Sequence, residues 1–363
     1  MNPIYVTKPF LPPLDEYHKL LERIWDSGQL TNNGQLYQEL EQRLKSRFGW
    51  ENASLFTNGH LALETALRSL ELKTGGEIIT TPFTFVSTVA AIVNQGFTPV
   101  FCDIDDCFTI DAKQIESLIT EKTVAILPVH VYGFPCDVER IAKIANKHHL
   151  KVVYDAAHAI GVRVNGKDIA SYGDISMFSF HATKLFHTIE GGALAYSDDK
   201  LRKSIELHKN FGISGPETID LVGTNAKMNE FQAAMGLLLL QYLDELVAKR
   251  KEIYERYMQY LKDLPGIRLT TVNDSVIFNY AYMPVLFEDG RDRIFDYLGK
   301  HNIFARKYFF PSISKVDCYK KYLRGNSLKN AEETSEKVIT LPIYPSLNMS
   351  QVDYICDTVK RAL

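Results

Sequence analysis

Short β-branched runs alternate with amphipathic helical patterns through the first two thirds of the chain. This alternation narrows the possible folds more than any other feature. EIITT from Glu77, TPVFCDI from Thr98, TVAILPVHV from Thr123, KVVYD from Lys151, ISMFSF from Ile175 and GALAYS from Gly192 read as strands. Helical stretches lie between most of them, from Leu61 to Leu72, Thr84 to Val93 and Val138 to His148. The pattern predicts a mainly parallel sheet with helices on both faces. Ligands of such sheets bind beyond the carboxyl ends of the strands. Five features fall at or just past those ends or in turns: Thr57-Asn58-Gly59, the segment from Thr81 to Phe85, His130, Asp155 and Lys184.

A long helical pattern from about Lys227 to Leu264 follows, broken by Pro265-Gly266. The tail is a smaller mixture: a strand in FNYAYMPVLF from Phe278, a helix from Arg291 to Lys300, a strand in NIFARKYFF, another in VITLP from Val338, and a closing helix. With 363 residues the chain accommodates two domains. We place a ligand-binding unit at 1–249 and a smaller C-terminal α/β unit at 250–363. The apolar run MGLLLLQYL from Met235 is too short to span a bilayer and lies among Glu230, Gln232, Gln241 and Asp244. It reads as the buried face of a helix. A net charge of −3 gives no general affinity for nucleic acid or membranes. The five cysteines are scattered without a C-x-x-C pair, which argues against a disulfide framework and a zinc site. With no signal-peptide pattern at the start, they suit the reducing cytoplasm.

The candidate site residues belong to several separate strand ends. In FSFHATKLFHTIEGGAL, Lys184 sits between an apolar strand and the turn Glu190-Gly191-Gly192. It is either a solvated lysine ending a strand or an amine placed to bond a carbonyl compound. Asp155 in KVVYDAAHA either caps the next helix or pairs with a protonated pyridine nitrogen, making that ring an electron sink. His158, three residues on, faces the same side and suits a hydrogen bond to a ring oxygen, or is an ordinary satisfied histidine. LFTNGHLALETAL runs from a strand through Gly59 into a helix, so free amides at the helix start make an anion site. Neither G-x-x-x-x-G-K-[ST] nor G-x-G-x-x-G occurs, which removes the usual nucleotide fingerprints. Phe83 and Phe85 in TPFTFVST are either core or a stacking face for a planar ring. Ser179 is a phosphate ligand or a polar strand end. An amine, an acid for a pyridine nitrogen, an aromatic face and a phosphate cup together are what pyridoxal 5′-phosphate requires.

The chain resembles the sugar aminotransferases of the DegT/DnrJ/EryC1/StrS family. The likeness rests on TNGHLALETAL, TPFTFVST, PVHVYG, YDAAHA, FSFHATK, EGGAL, GTNAKMNEFQAAMG and LPIYPSL. It implies the aspartate aminotransferase-like fold of pyridoxal-phosphate enzymes: a large domain with a mostly parallel seven-stranded sheet and a smaller C-terminal α/β domain. It implies that Lys184 anchors the cofactor and shuttles a proton, that Asp155 pairs with the pyridine nitrogen, and that His158 lies near the ring hydroxyl where Gln is common. Phe85 would stack on the ring. Gly59, His60 and Ser179 would bind the phosphate, and Asn225 would reach it from the partner subunit of a homodimer with shared active sites. His60 stands where the family often has Thr, and LFHTIEGG replaces the commoner LTTGEGG. Members with His in place of the anchoring lysine are dehydratases, a branch that Lys184 argues against. The amino-terminal VTKPFLPPL and LTNNG look most like the branch that aminates dTDP-4-keto-6-deoxyglucose at carbon 4 with glutamate as donor. A 3-keto sugar nucleotide, or cofactor binding without turnover, are the alternatives. Arg306, Lys307 and Tyr308 either meet the sugar diphosphate or form a solvated strand end.

Overall fold

The structure is a computed structural model and describes residues 2–363. Its chain begins with a two-residue strand β1 (Ile4–Tyr5) and two helices that the sequence reading did not foresee, α1 (Leu14–Ser27) and α2 (Gln35–Phe48). Then come β2 (Asn52–Phe56), α3 (Gly59–Ser69), β3 (Glu77–Thr80), α4 (Val86–Asn94), β4 (Thr98–Phe101), β5 (Thr123–Ile126), α5 (Val138–His148) and β6 (Lys151–Asp155). A small hairpin of β7 (Arg163–Val164) and β8 (Lys167–Asp168) leads to β9 (Ile175–Ser179) and β10 (Gly192–Tyr196). The helices α6 (Asp199–Lys209) and α7 (Glu230–Leu261) follow.

Seven of these strands form the central sheet in the order β2-β10-β9-β6-β5-β3-β4. The pairs β3–β4, β3–β5, β5–β6 and β6–β9 are parallel, whereas β10 runs antiparallel to both β2 and β9. The carboxyl ends of β2, β6 and β9 and the amino end of β10 therefore share one edge. Both faces of the sheet are dry. Ile79, Ile126, Tyr154, Phe178 and Ala193 face the core shared with α1, α2, α5 and the first half of α7. Their neighbours Ile78, Ala125, Val153, Met177 and Leu194 face α3, α4 and α6. Burial on both sides accounts for the near-continuous apolar runs in these strands.

Local chemistry fixes the helix starts next to the site. The Asn58 side chain accepts from Leu61 N at 2.9 Å and caps α3. Asn229 and Gln232 form a reciprocal capping box at α7. The buried Glu230 carboxylate accepts from Leu36 N at 2.8 Å and Tyr37 N at 3.0 Å, capping α2 from 194 and 193 positions away. A Cβ on Gly34 would stand 2.6 and 2.7 Å from the Glu230 Oε2 and Oε1 atoms, so this cap requires glycine in the LTNNG segment.

Helix α7 passes through residue 250. Leu246 packs in the sheet core, while Ile253, Tyr254, Tyr257 and Leu261 pack in a second core with the strands Met283–Phe287 and Val338–Leu341 and the closing helix Met349–Ala362. Two strand expectations in the tail are corrected. From Phe278 the chain is irregular until Met283. Asn279 there donates to the carbonyls of His158 and Ile160 at 2.8 and 3.0 Å, and Tyr280 has a φ of 54°. In NIFARKYFF only Ile303–Phe304 are strand; they pair parallel with β1. The first segment is bonded by Asn279 to the loop after β6, whereas in the second Arg306 makes an isolated bridge to Thr340 and the Phe309 carbonyl accepts from Ser335 Oγ.

Candidate active site

A cavity of about 540 Å³ opens at the shared edge of the sheet. Its wall holds Gly59, His60, Phe85, Asp155, His158, Ser179, Lys184 and Tyr308, eight of the eleven residues expected from sequence. They come from α3, the start of α4, the ends of β6 and β9 and three loops, so the topology converges what the sequence scatters.

Asp155 ends β6 with its carboxylate buried. One oxygen accepts from Thr88 Oγ1 at 2.7 Å and the other from Ala157 N at 3.1 Å. Burial pushes its carboxyl above the usual range, against the pull of these bonds and of Lys184. A cationic ring nitrogen in the cavity would reverse that and hold the carboxylate charged. No helix follows Asp155, so the expected helix cap is absent; the Ala157 bond instead holds the turn after β6 while the side chain lines the cavity.

His158 is buried, and its Nδ1 accepts from Tyr132 N at 3.0 Å. Burial, followed by the charge of Lys184, holds the imidazole well below its ordinary range, so it is neutral. With Nδ1 accepting, the ring proton sits on Nε2 and is free to donate to a ligand oxygen. Lys184 Nζ donates to Tyr282 Oη at 3.2 Å and lies 5.6 Å from that ring's centre. The Tyr282 ring in turn packs on His158, with centroids 4.6 Å apart.

At the other end of the cavity, Asn58 takes the amide of Leu61 and the carbonyl of Asn58 takes that of Ala62. The first-turn amides of Gly59 and His60 are left for an anion. A Cβ on Gly59 would lie 3.2 Å from Met177 Sδ and 3.2 Å from Ser179 Cβ, so the backbone itself forms this wall. Gly192 pairs with both Phe56 and Ser179, and a Cβ there would stand 2.7 Å from Gly59 Cα. The EGG turn after Lys184 thus lets the anion-binding turn pack directly on β10. Phe85 presents a ring that is 58% exposed at the cavity mouth. An open aromatic face, a desolvated carboxylate, a neutral imidazole donor, a lysine amine and free amides fit pyridoxal phosphate group by group.

Three expected residues lie outside this cavity. Asn225 is exposed and accepts from Lys227 Nζ at 2.7 Å. Arg306 is exposed, with its backbone bridged to Thr340. Lys307 pairs with Asp292 at 2.6 Å and covers the Phe295 ring at 4.5 Å. Conversely, sequence reasoning passed over Thr88, which holds Asp155, and Tyr282, which holds Lys184. Thr88 lies within TPFTFVST, three positions after Phe85, a spacing that shares one helix face. Tyr282 falls in a segment taken for strand and carries no local signal.

The profile of the DegT/DnrJ/EryC1/StrS aminotransferase family matches residues 14–360. The chain is 44% identical to a dTDP-4-amino-4,6-dideoxy-D-glucose transaminase of Shigella dysenteriae, with 99% of each chain covered. It is 44% identical to an enzyme of the same name from Escherichia coli over 95% of each. The crystal structure of DesI in the presence of its TDP-sugar product superposes with a TM-score of 0.94 at 31% identity, covering 99% of this chain and 93% of that one. The cavity, the sheet that builds it and these likenesses agree, and the chain belongs to the DegT/DnrJ/EryC1/StrS aminotransferase family.

Proposed function

We propose that the protein transfers the amino group of L-glutamate to carbon 4 of dTDP-4-keto-6-deoxy-D-glucose, giving dTDP-4-amino-4,6-dideoxy-D-glucose. The observation that carries this reading is the Lys184 amine facing the same cavity as the buried Asp155 carboxylate. Identity across nearly the whole length to two enzymes of that name supports the choice of sugar.

Pyridoxal phosphate supplies an aldehyde for an amine to bond and a pyridinium ring that withdraws electrons from the reacting carbon. Lys184 would provide that amine and, as a free base, would hold and move the proton at the carbon that gains or loses nitrogen. Tyr282 fixes where the free amine rests. Asp155 would keep the ring nitrogen protonated, His158 would donate from Nε2 to the ring oxygen, and Phe85 would cover one ring face. The amides of Gly59 and His60, with Ser179, would hold the phosphate. Tyr308 and Phe309 close the wall on the C-terminal side, where a sugar would enter. Arg306 and Lys307 would reach a diphosphate only from outside the wall, and Asp292 already neutralises Lys307.

The active form is a homodimer in which Asn225 of each chain completes the other's phosphate site. The exposed apolar side chains of Phe211, Ile213, Ile219 and Val222, near Asn225, are consistent with such an interface. The division at residue 250 falls where α7 passes from one core to the other. Among the described residues no helix is long and apolar enough to cross a membrane, and the five unpaired cysteines suit a cytoplasmic enzyme.

The test supplies dTDP-4-keto-6-deoxyglucose and its 3-keto isomer separately, each with glutamate, and reads the amine position by NMR. Amination at carbon 4 is expected. Preferential use of the 3-keto isomer overturns the substrate assignment, and free transamination of amino acids with neither sugar consumed overturns the sugar reading.

A further inference from the structure

We propose that Ser87 is a phosphate ligand whose hydroxyl is turned toward the cavity by a charged His60–Glu64 pair, so that the protein holds its cofactor more tightly on the acid side of neutrality. The inference rests on the reading that this cavity takes pyridoxal phosphate.

Three side chains on two helices form an unbroken line at the anion-binding turn. Glu64 Oε1 lies 3.2 Å from His60 Nε2, and His60 Nδ1 lies 2.8 Å from Ser87 Oγ. Ser87 and His60 both line the cavity. His60 supplies one of the two free amides at the start of α3, so Ser87 Oγ stands within one side chain's reach of the anion position. The same Glu64 oxygen accepts from Asn94 Nδ2 at 2.8 Å, which leaves the carboxylate fixed on its helix.

Proton counting decides what Ser87 offers. A charged imidazole has two N–H donors and no acceptor. It donates from Nε2 to Glu64 and from Nδ1 to Ser87, and the single Ser87 proton is then free to donate into the cavity. A neutral imidazole keeps one proton, and the carboxylate beside Nε2 retains it there. Nδ1 then becomes an acceptor and takes the Ser87 proton, so the hydroxyl turns only lone pairs toward the phosphate. Loss of one proton from His60 thus removes a positive charge and a hydrogen-bond donor from the anion site together.

The surrounding charges favour the charged state. The bond to Glu64 raises the His60 imidazole above its ordinary range, in spite of partial burial. Glu64 is held low, because its bonds to His60 and Asn94 outweigh its burial. Arg68, one turn further along α3, bonds to Gln95. Helix α4 and the strands β2 and β9, all against this region, carry no ionisable side chain. On α6, which packs on α3, Glu206 is engaged with Lys209 and Arg202 with Glu41, while His208 feels Arg68 and Glu71. The other ionisable groups of the cavity wall are Asp155, His158, His181 paired with Glu190, Lys184, Tyr282 and Tyr308. None of them touches His60.

The test uses 4′-deoxypyridoxine 5′-phosphate, which carries the ring and phosphate but cannot bond Lys184. Its dissociation constant is measured between about pH 6.5 and 9, where the phosphate is largely dianionic, for the parent, Ser87→Ala and His60→Gln. We expect both variants to bind roughly tenfold more weakly than the parent at the acid end, the scale of one bond to a charged group. The gap between His60→Gln and the parent should close as pH rises. Parent-like affinity of both variants at the acid end, or a variant-to-parent ratio that is flat with pH, overturns the inference. In parallel, pyridoxal phosphate is added to the parent and to Lys184→Ala. A visible band in the parent alone keeps the cofactor reading in place whichever way Ser87 and His60 behave. No band and no binding by the parent would overturn both.

Discussion

Gly192→Ala tests whether the EGG turn exists to seat the phosphate-binding turn. The added Cβ would lie 2.7 Å from Gly59 Cα, 2.8 Å from Gly59 N and 2.9 Å from Asn58 C. All three are backbone atoms, so no side-chain rotation relieves the clash. β10 and the start of α3 must separate. Forcing one extra carbon into a packed site costs about 1–3 kcal/mol. At roughly 2–4 °C per kcal/mol for domains of 150–250 residues, the melting temperature should fall by about 2–12 °C. Separation also moves the amides of Gly59 and His60 away from Ser179. Losing one charge-assisted bond, about 1.5–3 kcal/mol, should weaken pyridoxal phosphate binding by roughly ten- to a hundredfold. The assay is a titration of cofactor-free protein followed by visible absorbance, with a thermal melt of the same sample. Gly299→Ala is the control: a Cβ there meets nothing within 4 Å, on the helix Arg291–Lys300. That change should stabilise by about 0.4–1 kcal/mol and leave binding alone. A Gly192→Ala protein with the parent's affinity and melting temperature would refute the reasoning.

Three further outcomes are expected. Asp155→Asn should keep cofactor but lose about a thousandfold in turnover, since a contact charge pair at an effective dielectric near 20 is worth about 4 kcal/mol; activity within a few-fold of the parent would make Asp155 only a cap for the turn. Tyr282→Phe removes the hydroxyl that holds Lys184 Nζ. It should lower kcat roughly three- to tenfold and move its pH profile with KM for glutamate little changed, and an unchanged profile would leave Tyr282 a packing residue. Mixing inactive Lys184→Ala with an inactive Asn225→Ala protein should restore part of the activity through hybrid dimers, as read by the glutamate-dependent assay; a fully active monomer in sedimentation would exclude sharing.

Much of this site was legible in the chain because its signals are local. Strands dry on both faces are continuous apolar runs, and six of them start where the sequence places them: at Glu77, Thr98, Thr123, Lys151, Ile175 and Gly192. Helix α5 was expected from Val138 to His148 and runs between those residues. Asp155 and Lys184 could be singled out because each follows an apolar run at a strand end, and both line the cavity. Neither α1 nor α2, both unforeseen from the sequence, starts on a side-chain cap of its own: α1 follows Pro13 without one, and α2 takes its cap from the distant Glu230. The reason Gly34 must be glycine is likewise invisible until Glu230 is placed against it. Tyr282 sits 98 positions from the amine it holds, in an irregular segment pinned by Asn279 to the carbonyls beyond Asp155. The sequence by itself determined the sheet, its chemistry-bearing strand ends and the cofactor they suit, because periodicity and strand-end chemistry need only near neighbours. Tertiary structure alone decided which side chains hold those groups in place, and which of the expected contacts lie outside the wall, because such contacts depend on how distant segments pack.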